Sequence, residues 1–196
     1  MSKIVVASDN KGKLREIAQI FKGYEILSMR EAGFSGEIEE TGKTFEENAV
    51  LKARAVREAL HCTALADDSG LCVGALGGAP GVYSARFCGR HGDDKANNAL
   101  LLEKMRSVPD GERAAYFESC VAVCTQSGKV ITATGRTHGR ILKEEQGEGG
   151  FGYDPLFYSD ELGKSFGLAS AEEKNGVSHR AKALAALSRK IKGISL

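Results

Sequence analysis

Residues 4–7, IVVA, are a four-residue apolar run, three of them β-branched, too short for a helix and suited to a buried strand. The polar segment SDNKGK (8–13) follows, and then LREIAQIF (14–21) places Leu14, Ile17, Ala18 and Phe21 at helical spacing. The chain therefore opens β–loop–α. A strand and an amphipathic helix joined by so few residues must pack on each other, which points to a layered α/β protein.

The alternation continues. TFEE (44–47) has the form of a capping box, Thr44 as N-cap and Glu47 at the third helical position, ahead of Phe45, Ala49, Ala53, Val56 and Leu60 on one face. TALAD (63–67) reads as a strand that ends at the carboxylates Asp67 and Asp68, and the glycine-rich stretch 70–82 as loop with at most one strand. DDKANNALLLEKM (93–105) predicts a helix capped by Asp93 or Asp94. Segments 114–125 and 129–137 flank QSGK as a hairpin. A final helix is expected over about 178–192, with Ser178 as N-cap and Ala181, Leu184, Leu187 and Ile191 on one stripe. The expected fold class is α/β, a mixed central sheet with flanking helices, in a single domain 1–196 whose two lobes would divide near 70–90.

Composition narrows the function classes. With 27 Lys and Arg against 26 Asp and Glu, the net charge of +1 argues against bulk capture of nucleic acid or an anionic membrane, so a polyanion must meet a local basic cluster. No apolar run approaches the roughly 18 residues of a membrane span. Five cysteines without a C-x-x-C and no secretory leader after Met1 imply a reduced, cytoplasmic protein. Cys120 and Cys124 share one strand face and read as core.

Four polar features are out of place for a mere scaffold. SDNKGK lies between a strand and a helix, where free N–H groups attract phosphate, and Ser8, Asn10 and Lys13 add donors; a solvated turn is the alternative. Lys52 falls inside the apolar arc of its helix, with Asn48 at the edge, so it either lines a cleft or carries its ammonium to the rim. Glu39, Glu40, Asp67 and Asp68 form an acidic set. Neighbouring strand residues face opposite ways, so one aspartate can face a divalent ion such as Mg²⁺ while the other accepts local hydrogen bonds, or both can cap a D-S-G turn. Lys174, His179 and Arg180 gather at the start of the last helix, where cations oppose the macrodipole unless an anion or carbonyl group joins them. GEGGFGYD (147–154) adds Phe151, which could stack on a flat ring or staple a hairpin. Together these features describe a nucleoside triphosphate.

Six ordered blocks, SDNKGKLREI, EETGKTFEENAVLKA, ADDSGL, LGGAPGVYSARF, GEGGFGYDPLF and EEKNGVSHRAKAL, span nearly the whole chain. In them the sequence resembles the inosine/xanthosine triphosphate pyrophosphatase-like family, which acts on purine nucleotides with non-standard bases. The resemblance implies Mg²⁺-dependent hydrolysis of ITP, dITP or XTP to the monophosphate and pyrophosphate, a homodimer, and an active-site cleft between two lobes. It implies Asp68 as general base and metal-site residue, with Glu40 and, less firmly, Glu39 as further metal residues. Substrate would be bound by Ser8, Asp9, Asn10, Lys11, Gly12, Lys13, Lys52 and Ser69, and its base by Phe151, Gly152, Tyr153, Asp154, Lys174, His179 and Arg180. A nucleotide sensor without turnover and a sugar phosphatase releasing orthophosphate are the rival classes; the product distinguishes them.

Overall fold

The computed structural model describes residues 2–194 and 196. Seven strands, β1 (Ser2–Val6), β2 (Tyr24–Ser28), β3 (Ala64–Val73), β4 (Ala114–Cys124), β5 (Val130–Ile141), β6 (Phe157–Ser159) and β7 (Lys164–Ser165), are hydrogen-bonded in the order β2-β1-β3-β4-β5-β6-β7. β1 pairs in parallel with both β2 and β3, whereas β5–β6 and β6–β7 are antiparallel, so the sheet is mixed as expected. The helices are α1 (Lys11–Ile20), α2 (Phe45–Leu60), α3 (Asp94–Lys104), α4 (Ala171–Val177) and α5 (His179–Lys190).

The chain forms two compact units. The first comprises Met1–Asp68, Ser119–Gly135 and Arg180–Leu196, the second Ser69–Glu118 and Arg136–His179. Each has its own apolar core. Ile4, Val6, Ile17, Leu65, Val121, Val123, Leu184 and Leu187 make the first, so the opening β–loop–α and the last helix share one interior. Leu71, Leu101, Met105, Phe117, Ile141, Leu156, Phe157 and Phe166 make the second. Fully burying one such side chain stabilises by about 1.5–3 kcal/mol.

Local chemistry sets the element ends. Thr44 accepts from Glu47 N–H and the Glu47 carboxylate returns to the Thr44 N–H, the expected capping box. α1 starts at Lys11, earlier than its apolar stripe suggests, because the Asn10 side chain accepts from the N–H groups of Gly12 and Lys13. Two expectations need correction. β3 does not stop at the carboxylates but runs through them to Val73, so there is no D-S-G turn. The segment before the last helix is itself a helix, α4, with a Ser170–Glu173 capping box, and Lys174 belongs to it. Ser178 ends α4 and, in extended backbone directly ahead of α5 at His179, stands at the expected N-cap position of the last helix. The apolar periodicity of α4 is too short to have revealed it.

Candidate functional site

The first unit holds a buried charged set built on β3. Alternation along the strand gives its two aspartates different surroundings. Asp67 Oδ2 accepts from Lys13 Nζ at 2.7 Å and from Arg180 Nε at 3.2 Å, while Oδ1 accepts from Ser119 Oγ at 2.5 Å. Asp68 Oδ1 accepts from Lys52 Nζ at 3.0 Å and Oδ2 from Asn48 Nδ2 at 3.2 Å. The Asp67 carbonyl also accepts from Lys52 Nζ at 3.0 Å and Lys13 Nζ at 3.4 Å, so two ammonium groups meet at one oxygen. Lys52 reaches Glu40 Oε1 at 2.7 Å, and Arg180 Nη1 donates to Glu16 Oε2 at 2.8 Å. Asn48, Lys52, Asp67, Asp68 and Arg180 are all buried. The inward lysine of α2 is thus paired, which offsets the cost of removing it from water.

The two aspartates shift in opposite directions. Burial alone would raise Asp67, but the Arg180 guanidinium and the Lys13 ammonium hold its carboxyl well below the usual range. Burial also raises Asp68; Lys52 opposes this, the Glu40 charge adds to it, and the net shift is upward. Lys52 is held above its ordinary value because Asp68 and Glu40 outweigh burial. Burial lowers Lys13, Asp67 only partly opposes this, and Arg180 and Lys52 add to the lowering. One aspartate is a fixed counter-ion. Its neighbour is the more readily protonated of the two, and such separation of adjacent carboxylates is common in enzyme sites.

Glu40 is held by its loop. The Asn48 Oδ1 accepts from Gly42 N–H at 2.8 Å, and a Cβ at Gly42 would lie 2.6 Å from that oxygen. Asn48 therefore links the 40–42 loop to Asp68. Glu39, beside Glu40, is exposed and makes no ion pair or hydrogen bond among the described residues. The repelling pair Glu40 and Asp68, bridged by Lys52, suits a hard divalent cation. No group of three or more His, Cys, Asp or Glu poised for a metal occurs among the described residues. Mg²⁺ is commonly held through one or two carboxylates, with water and phosphate oxygens completing the shell, so these two carboxylates fit it.

The 8–13 loop is ordered by its own side chains. Ser8 Oγ accepts from Asn10 N–H, and Asn10 caps α1 through Gly12 and Lys13. Asp9 pairs with Arg30 at 2.8 Å on the surface. Lys11 is exposed, and Lys13 alone of the loop joins the charged set. Ser69, next after Asp68, is half-buried in β3 and falls to the second unit.

The second unit holds the aromatic set. Asp154 Oδ2 accepts from Lys174 Nζ at 2.5 Å and from Phe151 N–H at 2.8 Å. The same ammonium lies 4.5 Å from the centre of the Phe151 ring, a cation–π contact. Gly150 has φ +79°, and a Cβ there would strike the Asp154 carboxylate, so this turn requires glycine. Phe151 is 47% exposed, while Asp154 and Lys174 beneath it are buried. Tyr153 is a core residue whose hydroxyl donates to the Ser84 carbonyl at 2.8 Å. His179 is buried and stacked on Phe117 with ring centres 4.9 Å apart. Its chain neighbour Arg180 belongs to the other unit, with Asp67 and Glu16.

Residues that the sequence did not single out complete both sets. Ser119 had a signal: it shares strand parity with Phe117, Val121 and Val123, a hydroxyl on an apolar face. Glu16 had none, because a glutamate beside Ile17 looks like any helix surface. Of Asp94 and Asn98, which bind Gly152, the sequence offers the first only as a possible helix cap and the second only as a helix residue. Among the described residues no helix is long and apolar enough to cross a membrane, and no cysteine forms a disulfide.

Comparison with known proteins gives a consistent result. The model of the Ham1 family matches residues 4–190. A dITP/XTP pyrophosphatase of Geobacter sulfurreducens is 51% identical over 189 residues, covering 95% of each chain. One from Bacillus subtilis is 44% identical over 191 residues, 96% of each. The solved Staphylococcus aureus Ham1 protein superposes with a TM-score of 0.91 at 40% identity, covering 99% of this chain and 100% of its own.

Proposed function

Since the chain belongs to the Ham1 family, we propose that it hydrolyses purine nucleoside triphosphates with non-standard bases, dITP, XTP and ITP, to the monophosphate and pyrophosphate. The observation that carries this reading is the divergence of Asp67 and Asp68. A strand that locks one carboxylate as a counter-ion between Lys13, Arg180 and Ser119 and sets its neighbour on Lys52 and Asn48 provides a base beside two ammonium groups. Water is the nucleophile. Asp68 takes its proton, the new P–O bond forms to the water oxygen, and the phosphoanhydride bond breaks with its electrons going to pyrophosphate. Lys13 and Lys52 meet the phosphate charge that grows in the transition state. Glu40 and Asp68 would hold Mg²⁺, which when bound supplies charge neutralisation at the phosphate oxygens.

Base choice belongs to the aromatic set. Phe151 offers an exposed face for stacking, and the Lys174 ammonium beside it is a donor. The O6 of hypoxanthine or xanthine accepts a hydrogen bond there, whereas adenine presents N6–H₂, and donor against donor leaves both unpaired. Arg180, expected at the base, instead has Nε and Nη1 engaged by Asp67 and Glu16, so its part in base choice is not carried by these contacts. The test is a nucleotide panel with Mg²⁺, assayed for pyrophosphate and orthophosphate. Pyrophosphate from dITP and XTP, with little from dATP, is the expected result. Orthophosphate as the first product, or no turnover, contradicts the reading.

A further inference from the structure

Gly152 has both backbone groups taken by one helix. Its N–H donates to Asp94 Oδ2 at 2.8 Å, and its carbonyl accepts from Asn98 Nδ2 at 3.2 Å. Asp94 and Asn98 are four residues apart on α3 and so share a face. Neither contact is needed by the helix itself. Asp93, one residue earlier, supplies the N-cap by accepting from Ala96 N–H. Asn98 is 5% exposed, and its Nδ2 also donates to Glu145 Oε1 at 3.0 Å, while its Oδ1 meets no donor among the described residues. The buried amide thus spends its donors on Gly152 and Glu145, outside its own helix. On the other side, the Phe151 N–H is fixed by Asp154 Oδ2. The exposed Phe151 ring is therefore borne on a backbone held at its own nitrogen and at the next residue. Gly152 sits at φ +61°, a left-handed conformation.

We propose that Asp94 and Asn98 are positioning residues for nucleotide selection. They pin the Gly152 peptide groups and so aim the Phe151 ring beside the Lys174 ammonium. The proposal rests on the reading of Phe151 as the platform for the base. Ordering the loop before the nucleotide arrives removes that entropic cost from binding. Loss of the pins should therefore raise KM and weaken base discrimination, with little effect on kcat.

Asn98→Asp is nearly isosteric but sets a carboxylate against the Gly152 carbonyl and Glu145. Asp94→Ala removes the acceptor, and Asp94→Asn keeps an oxygen that can accept from Gly152 N–H. With dITP, Asn98→Asp and Asp94→Ala are expected to raise KM by about 10-fold or more, with kcat changing by no more than about 3-fold, because stacking on the base, remote from the reacting phosphates, is the same in the ground and transition states. The dITP-to-dATP preference falls with them, and Asp94→Asn restores both KM and preference. Hydrogen exchange at Gly152 N–H, measured by NMR without nucleotide, is faster in Asp94→Ala and returns toward the parent rate in Asp94→Asn. A folded Asp94→Ala enzyme with parental KM, preference and exchange overturns the proposal, as does failure of Asp94→Asn to rescue. If the parent turns over no nucleotide, the platform reading fails and the proposal falls with it; faster Gly152 exchange would then report the pin alone.

Discussion

The charged set of the first unit and the aromatic set of the second both contain buried ion pairs, but they use them differently. In the first, Lys13 and Arg180 are tied to the counter-ion Asp67 and Lys52 to its neighbour Asp68, the base of the proposed reaction, and the two aspartates are shifted in opposite directions. In the second, the Asp154–Lys174 pair lies beneath Phe151 and supports a ring that is itself half in solvent. Stability and reactivity therefore share the same groups in one region and are separable in the other. Removing the Asp67 charge should disturb the fold, whereas removing the ring from the second should disturb only the ligand.

The largest effect should come from Asp67→Asn. It leaves Lys13 and Arg180 facing a neutral amide, and breaking a buried pair in this way costs about 3–5 kcal/mol. Urea denaturation checks it, and pH gives a second check. The folded Asp67 carboxyl lies below its unfolded value, so its stabilisation is fully present above the ordinary aspartate pKa of about 3.9 and is lost as pH falls through the lower folded value. The gap in stability between parent and Asp67→Asn should hold from neutral pH down to about pH 4 and close below that. A gap under about 1 kcal/mol at neutral pH, the size typical of an exposed pair, would show that this set is not what holds the unit together.

Phe151→Ala sharpens the other side of the comparison. Base–aromatic stacking is worth about 1–3 kcal/mol, and that loss should appear in the binding of dITP. The same variant should change unfolding stability by no more than about 0.5 kcal/mol, as exposed positions usually do. Unaltered dITP binding, or a large loss of stability, would erase the distinction between the two sets.

Much of this was legible in the sequence because it rests on local rules. The β-branched run at 4–7, the Thr44–Glu47 box and the stripe of the last helix each report short-range physics, and each element formed as expected. Lys52 stood out because one cation interrupted an apolar face. What sequence could not supply was partnership across long separations. Arg180 meets Glu16 from the far end of the chain, and Ser119 meets Asp67 from a different strand. Spacing carries no information about such pairs. The extent of β3 is hidden in the sequence for a related reason: two adjacent aspartates followed by Ser-Gly resemble a turn until the cations that neutralise them are in place.

The most direct test of the catalytic account is single-turnover release of pyrophosphate from bound dITP by Asp68→Asn at saturating Mg²⁺. If Asp68 takes the proton from water, the rate should fall by about 10²–10⁴-fold while the Kd for dITP changes only a few-fold. A rate close to that of the parent enzyme would place the base elsewhere and contradict the account.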